Sequence, residues 1–171
     1  GGTDTLDLIV QADDITDPDT MHWMDDFCIY LQNSRDQVRG YDCISSTIKQ
    51  ANGGDIPWSQ TEIRALIDSL PASMVSRQLD GQDTALIKLN VGKELTNLGA
   101  EGTDRLIKEI DKDISWHQPP PGVSVRETGD AVVMTTLIAA LTKGRTEMTL
   151  LGLVLIFAVL LLIYRDLIKA L

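Results

Sequence analysis

Apolar residues two apart lead the chain: Leu6, Leu8 and Val10 alternate with Asp7, Ile9 and Gln11, the period of a strand with one buried face. The period then changes. Asp17 followed by Pro18 predicts an N-cap with proline at the first helical position, and acidic residues there suit the helix dipole. Met21, Met24, Cys28 and Leu31 recur at helical spacing with Trp23, Phe27 and Tyr30 alongside, so this helix has a broad buried face and fades between Ser34 and Gly40. A short strand at Tyr41 to Ile44 and a helical turn or more over Ser45 to Gln50 run into the loop Asn52-Gly53-Gly54. Ser59-Gln60-Thr61-Glu62 reads as a capping box, followed by the amphipathic set Ile63, Leu66, Ile67 and Leu70 that Pro71 ends. A second short helix passes through Met74, Val75 and Leu79.

Strand alternation returns after Asp80-Gly81, where Ile87, Leu89 and Val91 interleave with Lys88 and Asn90 before Gly92. From Asp104 onward Leu106, Ile107, Ile110 and Ile114 share a helix face, with Lys108, Glu109, Asp111, Lys112 and Asp113 on the solvated side. That helix stops near Trp116 and His117, ahead of Pro119-Pro120-Pro121-Gly122. Val123 and Val125 alternate with Ser124 and Arg126 in a last strand that stops at Gly129. Met134, Leu137, Ile138 and Leu141 then mark an amphipathic helix that packs on the domain or lies on a membrane surface.

The run Met148 to Tyr164, MTLLGLVLIFAVLLLIY, carries no charge. As a helix it is roughly 25 Å long, enough to span a bilayer core of about 30 Å once its flanking turns are recruited. Lys143, Arg145 and Glu147 stand before it and Arg165, Asp166 and Lys169 after it, so the positive-inside comparison is close to a tie. The organisation expected is a soluble domain over residues 1–129, a linking helix over 130–147, and a transmembrane helix with the start of its onward connection over 148–171. The order of strands and helices predicts an α+β fold: a ferredoxin-like split β-α-β sandwich with a helical insertion, followed by the C-terminal transmembrane helix. The apolar pattern Leu167, Ile168, Ala170, Leu171 resumes at the last residues, which suggests a piece cut from a longer protein.

Charge and chemistry narrow the function. A formal net charge of −10 and a pI of about 4.5 exclude a nucleic-acid surface, which needs clustered Lys and Arg. Asp13, Asp14, Asp17 and Asp19 invite a calcium reading, but a loop begun at Asp13 has Pro18 where an EF-hand needs glycine and Met24 where it needs Glu. No metal and no cofactor is expected. Cys28 and Cys43 are too few for a disulfide scaffold; a bridge outside the cytoplasm and two separate buried thiols both fit. His22 and His117 are the two histidines, and neither has a nucleophile in a glycine-framed elbow, so no catalytic residue is assigned. Met21, Met24, Trp23 or Phe27 could line a cleft for apolar molecules, but at helical spacing they read as core; substrate-binding residues stay unassigned.

From Gly122 onward the residues admit a closer comparison. The strand GVSVRETG, then Thr128-Gly129-Asp130, a linking helix and an apolar helix ending Ile163-Tyr164-Arg165-Asp166-Leu167 resemble the second membrane helix of RND-superfamily transporters and what leads into it, in particular their MMPL-like and hydrophobe/amphiphile exporter branch. Asp4 to Asp14 with Asp17-Pro18 is similar to the first strand and helix of the porter domain in that family. The resemblance implies an extracytoplasmic porter domain, a multi-pass cell-membrane protein, and proton-driven export of hydrophobic or amphiphilic molecules or lipids. It also implies partners: the lipid bilayer, further transmembrane helices, a second porter domain and other copies in a homo-oligomer. No coupling residue carries over, because in that family the proton relay lies in other membrane helices. The alternative is a membrane-anchored extracytoplasmic binding or interaction module without transport.

Overall fold

The computed structural model describes residues 5–91 and 94–128, with only the backbone path given for 94–101. The linking helix, the transmembrane run Met148 to Tyr164, and the residues Gly92 and Gly129 named as strand ends lie outside the described residues. Among the described residues, five helices and a five-stranded antiparallel sheet make an α+β fold.

Strand β1 (Thr5–Gln11) buries Leu6, Leu8 and Val10 completely, as its alternation predicts. Helix α1 (Pro18–Ser34) begins where Asp17 accepts hydrogen bonds from the Asp19 and Thr20 amides, at 2.9 and 3.3 Å, with Pro18 at the first helical position. Its Met21, Met24, Phe27, Cys28 and Leu31 are fully buried. Strand β2 (Gly40–Asp42) is short and gives way to helix α2 (Ile44–Ala51), which buries Ile44 and Ile48. Helices α3 (Gln60–Ser69) and α4 (Ala72–Gln78) follow, then strands β3 (Leu79–Asp80) and β4 (Thr84–Asn90). Helix α5 (Glu94–Trp116) and strand β5 (Ser124–Thr128) complete the described set.

The strand order is β2-β4-β1-β5, antiparallel at each pairing, with β3 also paired to β4. The register sets Leu8 opposite Ile87 and Val10 opposite both Ala85 and Val125. Paired side chains share a face of the sheet, so one face carries an apolar row that packs with α1 and α5 in a core that includes Leu106 and Ile110, with half-buried Glu127, opposite Leu8, on the same face at the β5 edge. The other face carries Asp7, Ile9, Leu86 and Lys88, half-buried, and exposed Arg126. Central β1 has neighbours on both sides, whereas three-residue β2 is an edge.

Four details depart from the sequence reading. Helix α5 starts at Glu94, ten residues before Asp104, and runs through Gly99 and Gly102 although glycine weakens helices. Leu79, read as helical, belongs to β3, which turns back onto β4 through Gly81 at φ +70°, a conformation that favours glycine. Ser59 is the N-cap of α3, but its side chain makes no cap hydrogen bond, so the capping-box motif marks the helix start without forming the box. Asp113, placed on the solvated side of α5, is buried.

Candidate functional site

Aromatic and charged side chains tie α1 to α5. Arg35, one residue past the end of α1, donates from Nε to Asp113 Oδ2 and from a terminal nitrogen to Oδ1, both at 2.8 Å, and its other terminal nitrogen reaches Glu109 at 3.1 Å. Tyr30 donates its hydroxyl to Asp113 at 3.3 Å. Asp113 therefore holds a fork-shaped, charge-assisted pair in a mostly dry setting, and its hydrogen bond with the facing charges raises the Arg35 pKa above its ordinary value. Trp23 donates its indole N–H to the His117 carbonyl at 2.8 Å, and the His117 ring lies against Tyr30 and Phe27. His117 is thus part of the packing between α1 and the end of α5.

His22 is half-buried rather than a plain surface residue. Its ring stacks on exposed Trp58 at 3.7 Å between centroids. At the start of α1, Asp14 accepts from the Thr16 amide and hydroxyl and pairs with Arg64. Burial raises the Asp14 pKa, but the Thr16 hydrogen bonds and Arg64 outweigh it and leave the carboxyl below its usual range. Two of the four acids are therefore committed, Asp14 to a turn and an ion pair and Asp17 to the helix cap. Among the described residues no group of three His, Cys, Asp or Glu could hold a metal ion.

A groove between β2, α2 and α4, of roughly 270 Å³, is the candidate site. Tyr41, Asp42, Thr47, Arg77 and Gln78 line it with Met74, so it is polar with one exposed thioether. The buried Gln78 carboxamide bridges it, accepting from the Thr47 hydroxyl at 3.1 Å and donating to Asp42. Behind the groove, between β2 and α1, lies a buried polar layer. Asp25 is buried and accepts from Lys49 of α2 at 2.7 Å, while its other oxygen has no partner among the described residues. The thiols of Cys28 and Cys43 are both fully buried and 3.9 Å apart, and Cys43 Sγ lies 2.9 Å from the Ser45 hydroxyl. They are free thiols, as one of the two readings had it, but in contact rather than separate. Burial, with Asp25 and both cysteines nearby, pushes the Tyr41 pKa up to about 12, so the phenol stays protonated at neutral pH.

Such a groove offers hydrogen-bond donors, acceptors and one guanidinium. None of its residues stood out in the sequence, because Asp42, Thr47, Arg77 and Gln78 come from three elements and share no period. The apolar candidates Met21, Met24 and Phe27 are fully buried core and Trp23 packs against it, so they line no cleft.

A model of the MMPL family matches residues 32–171. The chain belongs to the MMPL family. No curated protein and no solved structure matches it. MMPL proteins are membrane transporters, which agrees with the RND-superfamily resemblance of the C-terminal residues. The match starts inside α1, takes in the whole candidate groove, and leaves out β1, the strand about which the sheet is built. Among the described residues no helix is long and apolar enough to cross a membrane; α5 has the length but is studded with charge.

Proposed function

We propose that residues 1–129 are an extracytoplasmic porter domain of an MMPL transporter, joined by residues 130–147 to a transmembrane helix at 148–171. The family match over residues 32–171 carries this reading. The strand order β2-β4-β1-β5, antiparallel throughout and with α1 and α5 as its two long crossovers, supports a ferredoxin-like split β-α-β sandwich into which α2, α3, α4 and β3 are inserted. The cargo is a hydrophobic or amphiphilic molecule or a lipid, moved at the expense of a proton gradient by a multi-pass assembly of several copies. In that assembly the bilayer and a second porter domain are this domain's neighbours.

Labelling in intact cells tests the topology. Trp116 is 84% exposed, so a Trp116→Cys variant should react with a membrane-impermeant maleimide from outside, and Lys169→Cys only after permeabilisation. Protection of Trp116→Cys in intact cells would overturn the extracytoplasmic placement. Cells producing the native reading frame should also extrude a fluorescent amphiphile, and a protonophore should stop it. Extrusion that is absent, with the labelling as expected, would favour the anchored binding module.

A further inference from the structure

We propose that Cys28 and Cys43 are a disulfide-forming pair, a covalent staple that joins the middle of α1 to the β2–α2 corner when the domain meets an oxidant. The geometry is the ground for it. Cys28 stands on α1 with its sulfur 3.9 Å from that of Cys43, the residue between β2 and α2, and both side chains are fully buried. A disulfide is about 2.05 Å long, so the sulfurs need to close by roughly 1.9 Å, within the reach of small rotations of both side chains. No side chain stands between the two sulfurs, since Cys28 Sγ donates directly to Cys43 Sγ.

The surroundings also assign unequal roles. Cys43 accepts from the Cys28 thiol, and Ser45 and Ser46 add polar contacts, so its pKa is lowered to about 7 despite burial, whereas the Cys28 thiol is pushed well up. Cys43 is then the attacking thiolate and Cys28 the resolving thiol. With oxidised glutathione as oxidant, Cys43 bonds to one glutathione sulfur and expels the other as a thiol. Cys28 next attacks the Cys43 sulfur, forms the Cys28–Cys43 bond and releases the second glutathione thiol. Two cysteine protons end on two glutathiones, and the protein gives up two electrons. Cys43 is itself fully buried, so an oxidant reaches it by local opening of this edge: β2 has three residues, and Tyr41, Asp42, Ser46 and Thr47, on either side of Cys43 in sequence, line the groove.

Closing a loop across the 15-residue separation should favour the folded chain by roughly a hundredfold in its folding equilibrium. The pairing chemistry is independent of the transport reading; its use in the cell rests on the extracytoplasmic placement. The test takes the full chain in detergent, incubates it with excess oxidised glutathione, and then blocks remaining thiols with a maleimide in denaturant before mass spectrometry. Both thiols should disappear together with a loss of two hydrogen masses and a linked Cys28–Cys43 peptide. Cys28→Ser, whose hydroxyl can still donate to Cys43 but cannot resolve the mixed disulfide, should instead trap Cys43 as a glutathione adduct, and Cys43→Ala should leave Cys28 largely unreacted. Two free thiols in the folded wild-type chain under these conditions, or adducts without a Cys28–Cys43 link, would overturn the proposal, whatever the topology labelling gives.

Discussion

Cutting the link between α1 and α5 from either end should have unequal consequences. Arg35→Ala leaves the Asp113 carboxylate 5% exposed, stripped of two 2.8 Å charge-assisted hydrogen bonds and keeping one contact from Tyr30 at 3.3 Å. Breaking a buried pair typically costs 3–5 kcal/mol when the survivor is an unpaired charge. Arg35 is itself 23% exposed, so water relieves part of that, and about 3 kcal/mol is expected. Asp113→Ala is milder. The guanidinium keeps Glu109 at 3.1 Å and its own access to water, so the loss should be about 1.5 kcal/mol. Urea unfolding in a mild detergent, followed by tryptophan fluorescence, measures both, because Trp23, Trp58 and Trp116 are the chain's three tryptophans and all lie before the C-terminal apolar run. Equal losses, or a larger loss from Asp113→Ala, would refute the view that the unpaired buried carboxylate dominates.

Three further outcomes follow from the same structure. Glu127 is half-buried with one oxygen unpartnered, and burial together with the Asp111 charge raises its pKa; the charged form is therefore penalised above the folded-state pKa and relieved as pH falls through it, so Glu127→Gln should stabilise slightly at pH 7 and the gain should vanish near pH 4 in unfolding curves. Leu8→Ala removes a fully buried side chain from the central strand and should cost about 3 kcal/mol in the urea midpoint analysis, while Met74→Ala, at an exposed position, should be close to neutral. Gly122 has φ +85°, so Gly122→Ala should cost about 1 kcal/mol by calorimetry although the added methyl would meet only Asp13 at 4.0 Å.

What could be read from the chain, and what could not, divides along the range of the cause. The alternation in β1, the Asp17-Pro18 start of α1 and its apolar stripe are set by neighbours a few residues away, and each is found where the periods put it. Asp113 illustrates the other case. Leu106, Ile110 and Asp113 are spaced four and three apart, so the helical period itself put an acid on the apolar stripe; reading acids as solvated overrode that signal, and the compensating Arg35 lies 78 positions away. Strand β3 has two residues and exists only because β4 is there to pair with it. The groove was invisible for the same reason, since Gln78 meets Asp42 and Thr47 only after the chain has turned back on itself.

The central place of β1 sets a timetable. In a chain synthesised from its N-terminus β1 precedes both of its partners by a long stretch, since β4 starts at Thr84 and β5 at Ser124. Until then Leu6, Leu8 and Val10 have no sheet to complete, and only helices and the short strand β2, which pairs with β4 rather than β1, are at hand to shield them. Pairings this distant slow folding and lengthen the exposure of a sticky segment. Synthesis stalled before Thr128 would leave a nascent chain that cannot complete its sheet, and such intermediates are the ones that chaperones and proteases would meet first.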